Sequence, residues 1–265
     1  MNERGRADDR TVFERDGYAC VHCEAEGDGP ADLDVYRIDD DGDAPANREL
    51  LASVCERCHG TLRGDPPGWR RRLGTDPADG LLALLREVTT TQGSAVADVA
   101  DFAATATGGV DADDEAARRR YLDDRRRVRL ALAVVDRHLA GAGAETVDLG
   151  DDVALAFDAV RDEARTLQDL LVEVVVLAET AVAAAGRCHA CLEPVVGDPG
   201  SGGLDRCDAC GTAVREASEW TADDGEVSLA ALYGTVNDRL QEASATTEVL
   251  TKRTGQLAEL LTGRS

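Results

Sequence analysis

The sequence predicts a mainly α-helical fold that carries small α+β modules, and three observations lead to it. From Phe157 onward, Val160, Ala164, Leu167, Leu171, Val174, Ala178 and Ala181 step by three and four, and Val236, Leu240, Ala243, Thr247, Leu250, Thr254, Leu257 and Leu261 repeat that step later in the chain. Such spacing is the seam of a helix pair. The 265 residues include only three Phe, four Tyr and two Trp, so the core must be built from Leu, Val and Ala, which suit helix packing. Finally, all eight cysteines fall in C-x2-C pairs: Cys20/Cys23, Cys55/Cys58, Cys188/Cys191 and Cys207/Cys210.

The first two pairs are separated by 31 residues and the last two by 15, so each half of the chain supplies four thiolates, the number that a tetrahedral zinc ion takes. The loops they close are too polar and glycine-rich to hold themselves by apolar burial, and ion binding there is folding energy. Two structural zinc ions are expected, one on Cys20, Cys23, Cys55 and Cys58 and one on Cys188, Cys191, Cys207 and Cys210. No cysteine remains for a disulfide framework, which points to a reducing cytoplasm. The N-terminus is charged and lacks an apolar signal core. The longest apolar stretch, Leu170 to Gly186, carries Glu173 and Glu179 and reads as a buried helix face, so no membrane span is expected.

The formal charge is −23, from 52 acidic and 29 basic residues, with Lys252 the only lysine. The bias is spread along the chain and resembles the acidic proteins of salt-in halophilic archaea. A charge of this size repels itself and is tolerated when salt screens it. It opposes non-specific nucleic-acid binding unless arginines gather locally.

Taken in order, Arg10 to Asp16 reads as a short helix or turn ending at Gly17, with Val12 and Phe13 as anchors. Leu33 to Ile38 alternates as a short strand, Asp39 to Asp43 turns the chain, and Arg48 to Val54 is a second ordered piece leading into Cys55. Thr61 to Gly64 runs into the stop Asp65-Pro66-Pro67-Gly68.

The phrase Val12-Phe13-Glu14-Arg15-Asp16-Gly17-Tyr18-x-Cys20-x-x-Cys23, followed by Leu33 to Ile38 and by Ala52-Ser53-Val54-Cys55-Glu56-Arg57-Cys58-His59, resembles the zinc-containing branch of the HNH nucleases over residues 10–64. The resemblance implies a ββα-metal unit in which a first-strand His activates water while His, Asp or Asn neighbours hold a divalent ion against the scissile phosphate. The first-strand positions fall on Tyr36 and Arg37, and neither is a base near neutral pH. His59 matches the helix histidine. The central Asn falls on Leu50, with Asn47 three residues earlier. The resemblance therefore implies a weak or catalytically degenerate DNA endonuclease, in which His59, with Asp34, Asp39, Asp40, Asp41 or Asn47, holds Mg²⁺ or Mn²⁺. The alternatives are a non-enzymatic zinc-stabilised DNA-binding or protein-assembly module, and a purely structural helical adaptor. His22 is either a spacer within its knuckle or a rescue base.

Trp69-Arg70-Arg71-Arg72, with Arg37 and Arg63, could contact nucleic acid, or the arginines could pair with local carboxylates. Leu81 to Val88 and Ala95 to Ala106 are two helical pieces. Asp113 to Ala140 is a long helix introduced by Asp111, Asp113 and Asp114, with Val128, Leu132, Val135 and Leu139 on its buried side. Its block Arg118, Arg119, Arg120, Arg125, Arg126, Arg127 and Arg129 binds a phosphate backbone or pairs with acidic neighbours. Helices over about 151–185 and 226–262, each on the order of 55 Å, form an antiparallel hairpin. A zinc ribbon at 186–215 caps it, with turns at Pro194, Gly197, Pro199, Gly200, Gly202 and Gly203. His189 is a spacer or, less simply, a ligand. The expected organisation is an HNH-like zinc domain at 1–75, a helical connecting region at 76–145, and the capped hairpin at 146–265. DNA stays open as a partner, and the C-terminal helices offer a coiled-coil surface for a protein partner or a second copy.

Overall fold

A computed structural model describes residues 3–26, 32–38, 47–141, 150–195, 206–221 and 227–263. In chain order these form α1 (Glu3–Arg15), β1 (Leu33–Arg37), β2 (Leu51–Cys55), α2 (Glu56–Arg63), α3 (Gly68–Leu73), α4 (Pro77–Thr107), α5 (Glu115–Gly141), α6 (Asp151–Ala184) and α7 (Leu229–Thr262). Single 3₁₀ turns lie at Arg48–Leu50 and Ser218–Trp220. The expected turns at Asp39 to Asp43 and at Gly197, Pro199, Gly200, Gly202 and Gly203 lie outside the described residues.

The two seams pair as their spacing requires. Helices α6 and α7 are 34 residues each. Arg239 meets Glu173 at 2.8 Å, while Arg253, further along α7, donates to the Ala159 carbonyl at 3.1 Å. The partner number falls as the α7 number rises, so the helices are antiparallel. Every named α6 seam residue is buried, and Val236, Ala243, Leu250, Leu257 and Leu261 face them from α7. Because α4 and α5 add their own apolar faces, one core runs from Trp69 in α3 to Leu261 in α7.

Sequence spacing divides α4 into two pieces, but it is one helix of 31 residues. Its apolar stripe passes through Gln92, whose buried side chain donates to the Ala164 carbonyl of α6 at 2.7 Å. A polar residue at a core position hides the continuity. Gly93 costs about 1 kcal/mol of helix propensity, which the burial of Val88, Ala95, Val99 and Phe102 outweighs. Gly80 serves a steric need instead, since a Cβ there would stand 2.5 Å from the Leu73 backbone nitrogen, and only glycine lets α4 start against α3.

The N-terminal module joins the antiparallel pair β1 and β2, in register from Leu33↔Cys55 to Arg37↔Leu51, to α2, which starts directly after Cys55 and ends on left-handed Gly64 (φ +88°). Helix α1 reaches Arg15, and Gly17 (φ +67°) turns the chain into the first knuckle. The Asp16 carboxylate accepts the Ser53 N–H at 2.8 Å, and Arg15 donates to the carbonyls of Arg48 and Leu51. Through Ala52, Val54 and Leu62 the module packs on Leu130 and Val134 of α5. Between α6 and α7, the C-terminal module has only the single bridges Arg187↔Pro194 and Arg206↔Ala213. Among the described residues it contains no extended strands, and paired knuckles stand where a β-stranded ribbon was expected.

Candidate metal centres

Three of the four C-x2-C segments fold identically, for a reason local to the chain. In the knuckle at Cys20, the Cys20 N–H donates to the Ala25 carbonyl, the Glu24 N–H returns to the Cys20 carbonyl, and Ala19 bridges Glu26. The Cys188 knuckle repeats this with Glu193, Leu192 and the Arg187–Pro194 bridge, and the Cys207 knuckle with Thr212, Gly211 and the Arg206–Ala213 bridge. Closing so tight a loop forces the fifth residue into left-handed backbone: Glu24 at φ +57°, Leu192 at +62° and Gly211 at +73°. Two of the three are not glycine, a strained choice that a further force must hold. The fourth segment is different, with Cys55 ending β2 as the residue before α2 and Cys58 lying in the first helical turn.

These elements bring the cysteines together as their spacing predicts. Cys20, Cys23, Cys55 and Cys58 offer sulfur atoms within 4.8 Å of one another, and so do Cys188, Cys191, Cys207 and Cys210. The Cys23–Cys55, Cys188–Cys210 and Cys191–Cys207 sulfurs are 3.7, 3.6 and 3.7 Å apart. A tetrahedron with Zn–S of about 2.3 Å has edges of about 3.8 Å, so both sets are already at the spacing of a zinc tetrathiolate. Without a cation the thiols cannot all ionise: hydrogen bonding from Cys58 pulls the Cys20 thiol down to about 4, and the same contact together with burial pushes Cys58 up. In the second set Cys210 is likewise lowered and Cys191 raised, chiefly by hydrogen bonds among the sulfurs. A dication resolves the conflict by taking all four as thiolates. With four sulfur ligands no position is left for water, which is the closed pattern of a structural site.

The surroundings of the two sets differ. All four C-terminal cysteines are buried, whereas Cys23 is exposed and Cys55 half-buried. The Cys188 knuckle is fixed to α5 by Arg118, which donates to the Cys191 carbonyl at 2.7 Å, and by Tyr121, which donates to the His189 carbonyl at 2.8 Å. Beneath it lies Glu179 of α6, fully buried. Arg125 and Arg129 of α5 donate to its carboxylate at 2.9 and 3.1 Å, and Arg215 from beyond the last knuckle donates at 2.8 Å. His189 Nε2 is 3.8 Å from the same carboxylate. Burial alone would push this carboxyl up, but Arg125, Arg129, His189 and Arg215 together hold it far below the usual range.

His189 is thus a spacer that faces Glu179 and not a ligand of its own cluster. His22 sets its Nδ1 3.4 Å from Cys58 Sγ. His59, on α2, places Nδ1 2.9 Å from Asp34 of β1. Tyr36 and Arg37 stand on β1 opposite Ala52 and Leu51. Asn47 caps the 3₁₀ turn through the Glu49 N–H at 2.9 Å, and Asp39, Asp40 and Asp41 lie outside the described residues. Leu50, at the position of the family's Asn, is fully buried among Cys188, Ala190, Cys191, Cys207 and Cys210. One apolar residue therefore joins the two metal modules.

Trp69, a stacking candidate by sequence, is buried, and its indole N–H donates to His138 Nδ1 at 3.0 Å. Its size makes it a core anchor between α3 and α5, and no ring face is left for a base. Burial lowers the His138 pKa, which keeps the imidazole neutral and able to accept. Arg63, Arg71 and Arg72 are exposed and Arg70 half-buried, with Arg72 3.5 Å from Asp79. On α5 much of the arginine block points inward or sideways: Arg118 pairs with Glu193, Arg119 with Glu115, Arg126 with Glu49 and Asp123, and Arg125 and Arg129 with Glu179. Sequence reasoning missed Glu179 and Arg215 as partners of the second centre. The available signal was a glutamate within the most apolar stretch of the chain, nine residues before a C-x2-C pair.

Among the described residues, no third cluster of His, Cys, Asp or Glu is placed to hold a metal, and no helix is long and apolar enough to cross a membrane. Comparison with protein-family models, curated proteins and solved structures finds no match to this chain.

Proposed function

We propose that this chain is a non-enzymatic, zinc-stabilised assembly module, built on a scaffold similar to that of the HNH nucleases and deprived of their chemistry. The observation that carries this reading is the pairing of His59 with Asp34 in a strand–helix frame whose other catalytic positions hold Tyr36, Arg37 and a buried Leu50. Hydrolysis of a phosphodiester needs an ion at the phosphate and a group that takes the proton of water. A lone His–Asp pair beside a phenol and a guanidinium supplies neither in full. Two zinc ions on the eight cysteines hold two neighbouring modules, joined through Leu50, on the helical body, and the outer faces of α6 and α7 are the surface for a protein partner or a second copy.

Internal pairing of the α5 arginines supports assembly over DNA binding, because those guanidinium groups already have carboxylate partners. The DNA-contact reading then rests on Arg37, Arg63, Arg70, Arg71 and Arg72, of which Arg72 faces Asp79, and on the exposed Arg120 and Arg127 of α5. The test is a duplex-DNA assay in multimolar KCl with Mg²⁺ or Mn²⁺, run beside light scattering of the same sample. The expected result is no cleavage and a mass above that of one chain. Multiple-turnover cleavage lost in His59→Ala would overturn the proposal in favour of a working nuclease.

A further inference from the structure

The two four-cysteine sets have one chemistry and two accessibilities, and the outer edge of the N-terminal set has a specific geometry. Cys20 and Cys58 are buried with Ala52, Val54 and Leu62 against α5. Cys23 and Cys55 form the outward edge, their sulfurs 3.7 Å apart. A cleft of about 600 Å³ between the first knuckle, α2, α4 and α5 opens onto Cys23 and Cys58, and its walls mix polar groups, His22, Arg57, Thr61 and Ser94, with the apolar Ala131 and Val134. A small polar oxidant can enter such a cleft. In the C-terminal set the Cys191 and Cys207 sulfurs have the same 3.7 Å spacing, but all four cysteines there are buried.

Thiolate oxidation needs access as well as electron density. We infer that the N-terminal centre is a peroxide-reactive modification site, at which Cys23 and Cys55 form a disulfide and the metal is expelled. The inference rests on the reading of both clusters as zinc centres. One of the two thiolates attacks the O–O bond of hydrogen peroxide, becoming a sulfenic acid as hydroxide leaves. The second thiolate attacks that sulfur, forming the S–S bond and displacing a second hydroxide. Two thiolates have then given two electrons to one peroxide. Sulfur atoms 3.7 Å apart need to approach to about 2.05 Å. Cys20 and Cys58 alone are half of a tetrahedral shell, and the ion leaves. Because the knuckle at Cys20 holds Glu24 in left-handed backbone, loss of the ion removes the restraint on that strained turn.

The test uses the full chain in multimolar KCl, with zinc counted by elemental analysis and then challenged with hydrogen peroxide in the presence of a zinc-binding dye. The expected result is two zinc ions per chain, one released roughly ten times faster than the other, with peptide mass spectrometry locating the new disulfide at Cys23–Cys55. Reductant plus zinc should restore the starting state. Cys23→Ser should show no such disulfide. Mapping in the unaltered protein decides the matter even if that variant fails to fold. Two zinc ions that leave at one rate, a C-terminal ion that leaves first, or a disulfide at other positions would each overturn the inference while leaving the zinc reading intact. A starting content below two zinc ions would overturn the zinc reading and the inference with it.

Discussion

The N-terminal and C-terminal metal modules share a knuckle and a sulfur spacing, and they part company in what lies underneath. The C-terminal knuckles rest on three guanidinium groups against one carboxylate, Arg125, Arg129 and Arg215 around Glu179. Glu179 and Arg125 are buried, and Arg129 and Arg215 reach the carboxylate from partly exposed positions. Under the N-terminal module the corresponding anchor is a single pair, the buried Arg126 of α5 with Glu49 at 2.9 Å. The module lies on α5 through Leu130 and Val134, and its nearest imidazole, His22, stands beside an exposed edge. A cysteine motif thus gathers four sulfurs that could hold a metal ion, whereas its surroundings set how firmly the cluster is tied to the rest of the fold.

The largest expected effect comes from breaking the foundation. Glu179→Gln leaves Arg125 buried without its counter-charge, and loss of one partner of a buried pair costs about 3–5 kcal/mol, to be read by chemical denaturation at fixed salt. The same residue gives a pH signature. Its folded pKa is held below the ordinary carboxyl value, so its contribution is fully present above about pH 4.5. It is lost as the pH falls through the folded value, and in Glu179→Gln that part of the acid dependence should vanish. Next in size is the bridge between the modules: Leu50→Ala empties a buried site and should cost about 3 kcal/mol. If Leu50 couples the two centres as its position indicates, metal release should accelerate at both centres, and a change at only one of them would argue against coupling.

Smaller effects are expected away from the two centres. Gln92 spends a core position on one hydrogen bond and leaves its Oε1 unpartnered among the described residues. Gln92→Leu should therefore be neutral or stabilising, by up to about 1 kcal/mol, when read by the same denaturation. The smallest change is expected at the His59–Asp34 pair. Asp34 is half-exposed, its pair with His59 lies at the surface, and Asp34→Asn should cost about 0–1 kcal/mol with the zinc content unchanged.

Much of this architecture was legible because it is periodic or local. The α6 and α7 seams, the buried Val12 and Phe13, the β1 strand and the four C-x2-C pairs all follow from spacing alone. What was misread or left open has a different cause, since each case depends on a partner distant in sequence. Gln92 interrupts an apolar stripe to reach α6. For Trp69, beside three arginines, packing and stacking are both open until His138, 69 positions away, takes its N–H. The α5 arginines are ambiguous until Glu49 and Glu179 stand next to them. At the candidate centres, the eight ligands could be read from the chain, but their unequal burial could not, because burial is decided by how the helices dock.

The most direct test of the contrast is a chelator challenge of the zinc-loaded chain in multimolar KCl without oxidant, with zinc release followed in time. Two ions per chain are expected at the start, followed by a persistent one-zinc species whose remaining ion is lost only when Cys188, Cys191, Cys207 or Cys210 is replaced. Loss of both ions in a single step, or a one-zinc species that retains the ion at Cys20, Cys23, Cys55 and Cys58, would contradict the unequal anchoring of the two centres.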